Sequence, residues 1–197
     1  MEFPCYIFDE EIRAINEELE SSYQELDRLT DNIENIIELI SKIEVEITEE
    51  EFLSVVLKNT VDLIPEAEAG LIYLFKDRKV EFIEGVNYDI DFLNGLDIKK
   101  DYIKYHGGKY SKNITKNSVL DPKFTPRDIY QIYIKNTRPV NTSLFINLRI
   151  NQKVIGRLSL EILEDSNKSF RNSSKRLLNS FERLASSYLI LKRYNQL

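Results

Sequence analysis

One cysteine and one histidine in 197 residues exclude several classes of protein. The lone thiol, Cys5, rules out a disulfide-stapled scaffold and a zinc site of clustered thiolates, and the lone imidazole, His106, rules out a multi-histidine metal site. No apolar run approaches the 18 residues of a membrane span, and Met1 to Phe8 lack the basic-then-apolar order of a secretory signal. A cytoplasmic location is the expectation. Triplets such as Asn113-Ile114-Thr115 are then chance matches to the glycosylation pattern.

What the chain does have is enough apolar material for a core, with 42% hydrophobic and 11% aromatic residues. Its length fits one domain plus an extension. The net charge of −6 conceals blocks of opposite sign. Residues 1–50 hold 16 acids against 3 bases and residues 51–98 hold 10 against 4, whereas residues 99–138 hold 3 against 10. Residues 139–167 balance 3 against 3, and residues 168–197 hold 1 against 7. Such blocks can pack on one another or face different partners, and the basic 168–197 helix is expected beside the acidic N-terminal helices.

Neither proline nor glycine interrupts residues 12–43, where Ile12, Ile15, Leu19, Ser22, Leu26, Leu29, Ile33, Ile36, Ile40 and Ile43 recur at alternating steps of three and four. Nine of these ten are apolar, a 3.5-residue repeat that predicts a helix about 54 Å long, longer than a small domain is wide. The stripe needs a helical partner. A parallel coiled coil in a homodimer is the expectation; an antiparallel hairpin within one chain is the alternative.

Thr48 to Glu51 fit a capping box, with Phe52, Val56, Val61 and Ile64 on one side of a helix that Pro65 closes. Two strand-like runs, 69–76 and 79–86, flank Asp77-Arg78, a two-residue connection that favours a hairpin. A second hairpin is read over 140–150 and 153–163 around Asn151-Gln152, and a last helix carries Leu177, Phe181, Leu184, Tyr188 and Leu191. The fold class is α+β, an antiparallel β-sheet flanked by helices with a long N-terminal coiled-coil helix. Residues 1–47 form the dimerising helix and 48–197 the globular part.

Phe52 to Leu74, a helix leading through Ala67, Ala69 and Gly70 into a strand, and Thr142 to Glu161, a hairpin containing Gly156, together resemble the GAF domain, a sensor module of bacterial signalling proteins. The resemblance implies a small-molecule site beneath the middle segment and an output domain, such as a cyclic-di-nucleotide enzyme or a histidine kinase. The last helix ends with its apolar repeat unfinished, in keeping with such a continuation. Chromophore attachment would need a cysteine in mid-domain, where none stands, and methionine-sulfoxide reduction would need several. The cyclic-nucleotide signature of the family is not recognisable here. No cofactor is expected, and no enzymatic activity.

His106, beside Gly107-Gly108, reads as a loop residue rather than a haem ligand. Asp89, Asp91, Asn94 and Asp97 fail as a calcium loop, because Asn94 stands where glycine is required and Lys100 where glutamate is. The middle segment, 99–138, combines a balance of +7 with five tyrosines, which suits a small anionic ligand bearing an aromatic or apolar body. Tyr102, Lys104, Tyr105, Tyr130 and Tyr133 are the candidate ligand-binding residues, with Tyr130 and Tyr133 on one face of a helix that Thr125-Pro126 begins. Nucleic-acid binding by this segment and a ligand-free dimerisation scaffold are the alternatives.

Overall fold

A computed structural model describes residues 12–24, 47–103, 111–113 and 119–194. The chain divides into two compact units, Met1–Val45 and Glu46–Leu197. Within the first, residues 12–24 are helical (α1), and Ile12, Ile15 and Leu19 are exposed in the single chain. The remaining seam residues, Leu26, Leu29, Ile33, Ile36, Ile40 and Ile43, lie outside the described residues, as do Cys5 and His106.

The second unit opens with α2, Glu49–Leu63, on the capping box read from the sequence. The Thr48 hydroxyl accepts from the Glu51 backbone N–H at 3.1 Å, and the Glu51 carboxylate accepts from the Thr48 N–H at 2.9 Å. Two of the unpaired donors of a helix start are thereby satisfied. Strands β1, Ala69–Lys76, and β2, Lys79–Val86, follow as a hairpin. Asp77 and Arg78 both take positive φ, the backbone of a two-residue turn whose twist matches that of the strands. A crossover then carries α3, Ile90–Gly95, a 3-10 turn at Lys100–Tyr102, β3, Ser111–Asn113, and α4, Arg127–Asn136. Strands β4, Val140–Ile150, and β5, Lys153–Leu163, have the bounds that the alternation predicts, and α5, Asn172–Tyr194, ends the described chain.

The five strands are antiparallel in the order β2-β1-β5-β4-β3. Registers place Gly70, Ile72, Leu74, Leu144, Ile146, Leu148, Leu158, Leu160 and Ile162 on one face. Against it pack α2, through Phe52, Leu53, Val56 and Leu57, and α5, through Leu178, Phe181, Ala185 and Leu189. Gly70 lies where α2 crosses closely; a Cβ there would stand 3.0 Å from Leu57 and Val61. Burial of each such Leu or Phe is worth about 1.5–3 kcal/mol, so this layer holds the domain together.

Two local readings shift. The buried side of α5 runs through Leu178, Phe181, Ala185, Tyr188 and Leu189, leaving Leu191 54% exposed, because the sheet takes a 3.6-residue stripe rather than the seven-residue repeat of Leu177, Leu184 and Leu191. The middle segment is also more regular than its composition suggests: Asp89 caps α3 by accepting from the Phe92 N–H at 2.9 Å, which is the role of an acid that superficially fits a calcium loop.

Candidate functional site

The opposite face of the sheet is not apolar. The same registers bring Tyr73, Ser143, Asn147, Arg157, Ser159 and Glu161 onto it, and the crossover covers them. Asn147, Arg157, Ser159 and Glu161 are all at most 5% exposed. Alternating polar residues on a strand ordinarily face water. Here they form a buried polar strip along the centre of the sheet.

At the inner end of the strip, Tyr88 donates a short hydrogen bond to the Glu161 carboxylate, and Ser159 reaches its other oxygen at 3.5 Å. Full burial pushes the Glu161 carboxyl up to about 7, although hydrogen bonds from Tyr88, Ser159 and Ser143 oppose the shift. The hydroxyls of Tyr88 and Tyr133 are pushed above their ordinary range, first by burial and then by the negative charge of Glu161. The Tyr73 hydroxyl, also raised by burial, is enclosed without a well-formed hydrogen bond. Around this polar knot the aromatic and aliphatic side chains Leu71, Phe82, Leu93, Val119 and Leu120 close the space as a core.

At the outer end the strip reaches an open cleft of about 740 Å³. Arg157 forms part of its lining and is held rigidly: Nε donates to Asn147 Oδ1 at 3.1 Å, and the guanidinium lies 4.1 Å from the centre of the Phe145 ring. Arg149 and Lys153, from the β4–β5 hairpin, and Lys100, from the crossover, add three more cations. Asp101 and Asp121 are the acids of the lining, and Phe75 and Phe124 its aromatic walls. Lys100 lies 4.7 Å from the centre of the Phe75 ring.

Of the residues selected from sequence, Tyr133 is 1% exposed and belongs to the core beneath the crossover. Tyr102 and Tyr130 are half-buried against that core, so Tyr130 and Tyr133 do share an inward face. The helix bearing them starts at Arg127, one residue later than the Thr125-Pro126 reading, with Pro126 at the cap position. The backbone carbonyl of Tyr102 accepts from the Asp121 N–H at 2.7 Å, tying the two sides of the crossover. Lys104 and Tyr105 lie outside the described residues. The residues that sequence reasoning missed are Arg149, Lys153, Arg157 and Glu161. Their signal was present in Arg157-Leu158-Ser159-Leu160-Glu161, a polar-apolar alternation on a strand at the centre of a sheet with helices to cover both faces.

Among the described residues no helix is long and apolar enough to cross a membrane, and no cluster of three metal-binding side chains occurs. No protein-family model matches the sequence. No curated protein matches it either. Solved structures do. A GAF domain of a phosphoenolpyruvate-protein phosphotransferase from Coxiella burnetii is 11% identical, with a TM-score of 0.57 over 85% of this chain and 97% of its own. That of the Acinetobacter phosphoenolpyruvate-protein phosphotransferase is 10% identical, with a TM-score of 0.55 over 82% of this chain and 94% of its own. The GAF domain of a putative sensor histidine kinase from Pseudomonas syringae pv. tomato is 13% identical, with a TM-score of 0.55 over 89% and 96%. At these identities the likeness is one of architecture, and the globular unit has a GAF-like fold.

Proposed function

We propose that the chain is a sensory and regulatory module that dimerises through α1, binds a small anionic ligand between the sheet and the crossover, and passes the binding event through its terminal helices to an output domain. The observation that carries this reading is the division of labour between the two faces of one sheet. The apolar face is bound to α2 and α5, the helices by which the chain enters and leaves the unit, while the polar face meets the crossover and a cleft. A ligand that draws the crossover onto the polar face acts one sheet's thickness from the helices that would carry the signal. Only its differential affinity for the two arrangements can drive the shift.

Similar folds in a sensor histidine kinase and in phosphotransferase proteins support a regulatory role within a larger protein. The exposure of Ile12, Ile15 and Leu19 in the single chain supports a second copy as the partner of α1. The inward position of Tyr133 and the half-burial of Tyr102 and Tyr130 withdraw these three rings from the stacking that single-stranded nucleic acid would use.

A thermal-shift screen of anionic metabolites and nucleotides, followed by hydrogen exchange of the best binder, tests the reading. The expected result is a saturable rise in melting temperature with slower exchange in both the crossover and α5. Absence of any small-molecule response, with tight and steeply salt-dependent binding of single-stranded RNA, would overturn it in favour of nucleic-acid binding.

A further inference from the structure

The space directly beneath the crossover is largely filled: Tyr73, Tyr133 and Phe82 are each no more than 2% exposed, and Leu93 and Leu120 close in around them. Open volume lies instead at the end of the polar strip, where the β4–β5 hairpin and the start of the crossover face each other across the cleft. We infer that this cleft is a binding site for a multiply charged oxyanion, phosphate or dicarboxylate, carried on a flat apolar body, with Arg157 as its fixed anchor and Arg149, Lys153 and Lys100 as its rim. The inference rests on the sensory reading for its biological use but on separate observations for its chemistry.

The first observation is charge. Four cations and two carboxylates line the cleft, and among the described residues no ion pair joins Lys100, Arg149 or Lys153 to an acid. Elsewhere in the unit Lys58, Lys76, Lys79, Lys168, Arg171 and Arg193 do have carboxylate partners. A concavity with an excess of cations attracts anions before contact and holds a dianion better than a monoanion.

The second observation is rigidity. A surface arginine loses rotamer freedom on binding, whereas Arg157 is already fixed by Asn147 and by the face of Phe145 and is 4% exposed. Its guanidinium is preorganised for the planar fork of a carboxylate or phosphate.

The third observation is shape. Phe75 forms one aromatic wall and Phe124, 66% exposed, another. Such walls discriminate a flat body from a bare ion. An exposed phenylalanine at the mouth of a cationic cleft gains buried area when that body enters.

Phenyl phosphate is the test probe, compared with inorganic phosphate and with benzyl alcohol as the uncharged flat body. Titrations of the full chain by calorimetry and by amide NMR should give phenyl phosphate the highest affinity, with shifts at Phe124, Arg149 and Lys153. The double variant Arg149→Gln with Lys153→Glu, confined to the hairpin end and the rim, should bind phenyl phosphate at least tenfold more weakly with an unchanged melting temperature. Phe124→Ser should lower affinity for phenyl phosphate but not for inorganic phosphate. Equal affinity of native and doubly substituted protein, or benzyl alcohol binding as tightly as phenyl phosphate, would overturn the assignment. If a different small molecule stabilises the unit and slows exchange in α5 while phenyl phosphate does not bind the cleft, the cleft assignment fails and the sensory reading stands. If phenyl phosphate binds in the cleft while no ligand alters α5, the reverse holds.

Discussion

The Tyr188 ring stacks on Phe52 with centroids 3.8 Å apart and planes 18° from parallel, joining the last helix of the unit to the first. The Tyr188 hydroxyl also donates to the Ile47 carbonyl at 2.8 Å, at the point where the chain enters α2. Arg193 adds a two-pronged contact to Glu49, at 2.9 and 3.3 Å, one turn further along. Entry and exit therefore share a single aromatic and polar joint, so a displacement of either helix is felt by the other.

This joint separates packing from hydrogen bonding. Phe52→Ala removes a fully buried ring and should cost about 3–5 kcal/mol. Tyr188→Phe keeps the stack and loses the hydroxyl's bonds to the Ile47 carbonyl and, at 3.4 Å, the Thr48 carbonyl, so about 0.5–1.5 kcal/mol is expected. Urea denaturation of the two variants checks the ranking; equal losses would mean that the stack contributes little.

Gly156 sits where β5 presses on β1, paired with Leu74 and with Leu148. A Cβ there would collide with the Tyr73 carbonyl oxygen and stand 2.7 Å from Leu74 Cδ2. Gly156→Ala should therefore destabilise by about 1–3 kcal/mol, since a backbone atom cannot yield as a side-chain tip can. At Gly95 a Cβ meets nothing within 4 Å, so Gly95→Ala on α3 should leave the fold as stable or raise it by up to about 1 kcal/mol. Thermal unfolding of both variants gives the comparison.

Arg78 has φ of 67°, in the left-handed region, on the two-residue β1–β2 turn. Arg78→Gly removes the Cβ penalty at that position and keeps the backbone carbonyl that accepts from the Lys100 N–H at 2.7 Å. A gain of about 0.5–1 kcal/mol is expected, less the added entropy of glycine in the unfolded chain. A loss of stability in urea would mean that the arginine side chain itself supports the turn.

Much of the fold was readable because its signals are local. The Thr48–Glu51 box, the two-residue turns at Asp77-Arg78 and Asn151-Gln152 and the alternation of β4 each depend on residues a few positions apart. The cleft was not readable, because Phe75, Lys100, Phe124, Arg149, Lys153 and Arg157 converge from three separate stretches of chain. Counting charge by blocks even pointed away from half of it. Segment 139–167 is neutral overall, yet Arg149, Lys153 and Arg157, its only bases, all line the cleft. The tyrosines of the basic middle segment drew notice as ligand contacts, and Tyr133 instead fills the core, because a ring with one polar tip can be buried beside another hydroxyl.

Dimerisation through α1 makes a direct prediction. Ile15 and Leu19 are 62% and 51% exposed in the single chain. Replacing both by aspartate places charge in the proposed seam and should convert a dimer to a monomer at micromolar concentration without lowering the helicity of the globular unit. Light scattering is the readout. A native protein that is monomeric at that concentration would remove the basis for the coiled-coil reading.

The buried carboxyl of Glu161 should make stability fall as pH rises through neutrality. In the unfolded chain this group titrates near the ordinary carboxylate value, about 4.5, whereas in the folded unit burial pushes it up to about 7. Between those two values the folded state holds a proton that the unfolded state has released. The stabilisation is therefore complete below about pH 4.5, declines between pH 4.5 and 7, and is gone above about pH 7. Integrated over the shift, the loss is about 3 kcal/mol. Glu161→Gln keeps an oxygen to accept from Tyr88 but has no charge to bury, so its stability should be flat over that range and should exceed that of the native protein at pH 8. Urea midpoints at pH 5, 6.5 and 8 check the slope. A native midpoint that rises with pH while the Glu161→Gln midpoint stays level would show that the carboxylate is stabilised by its partners more than burial disfavours it.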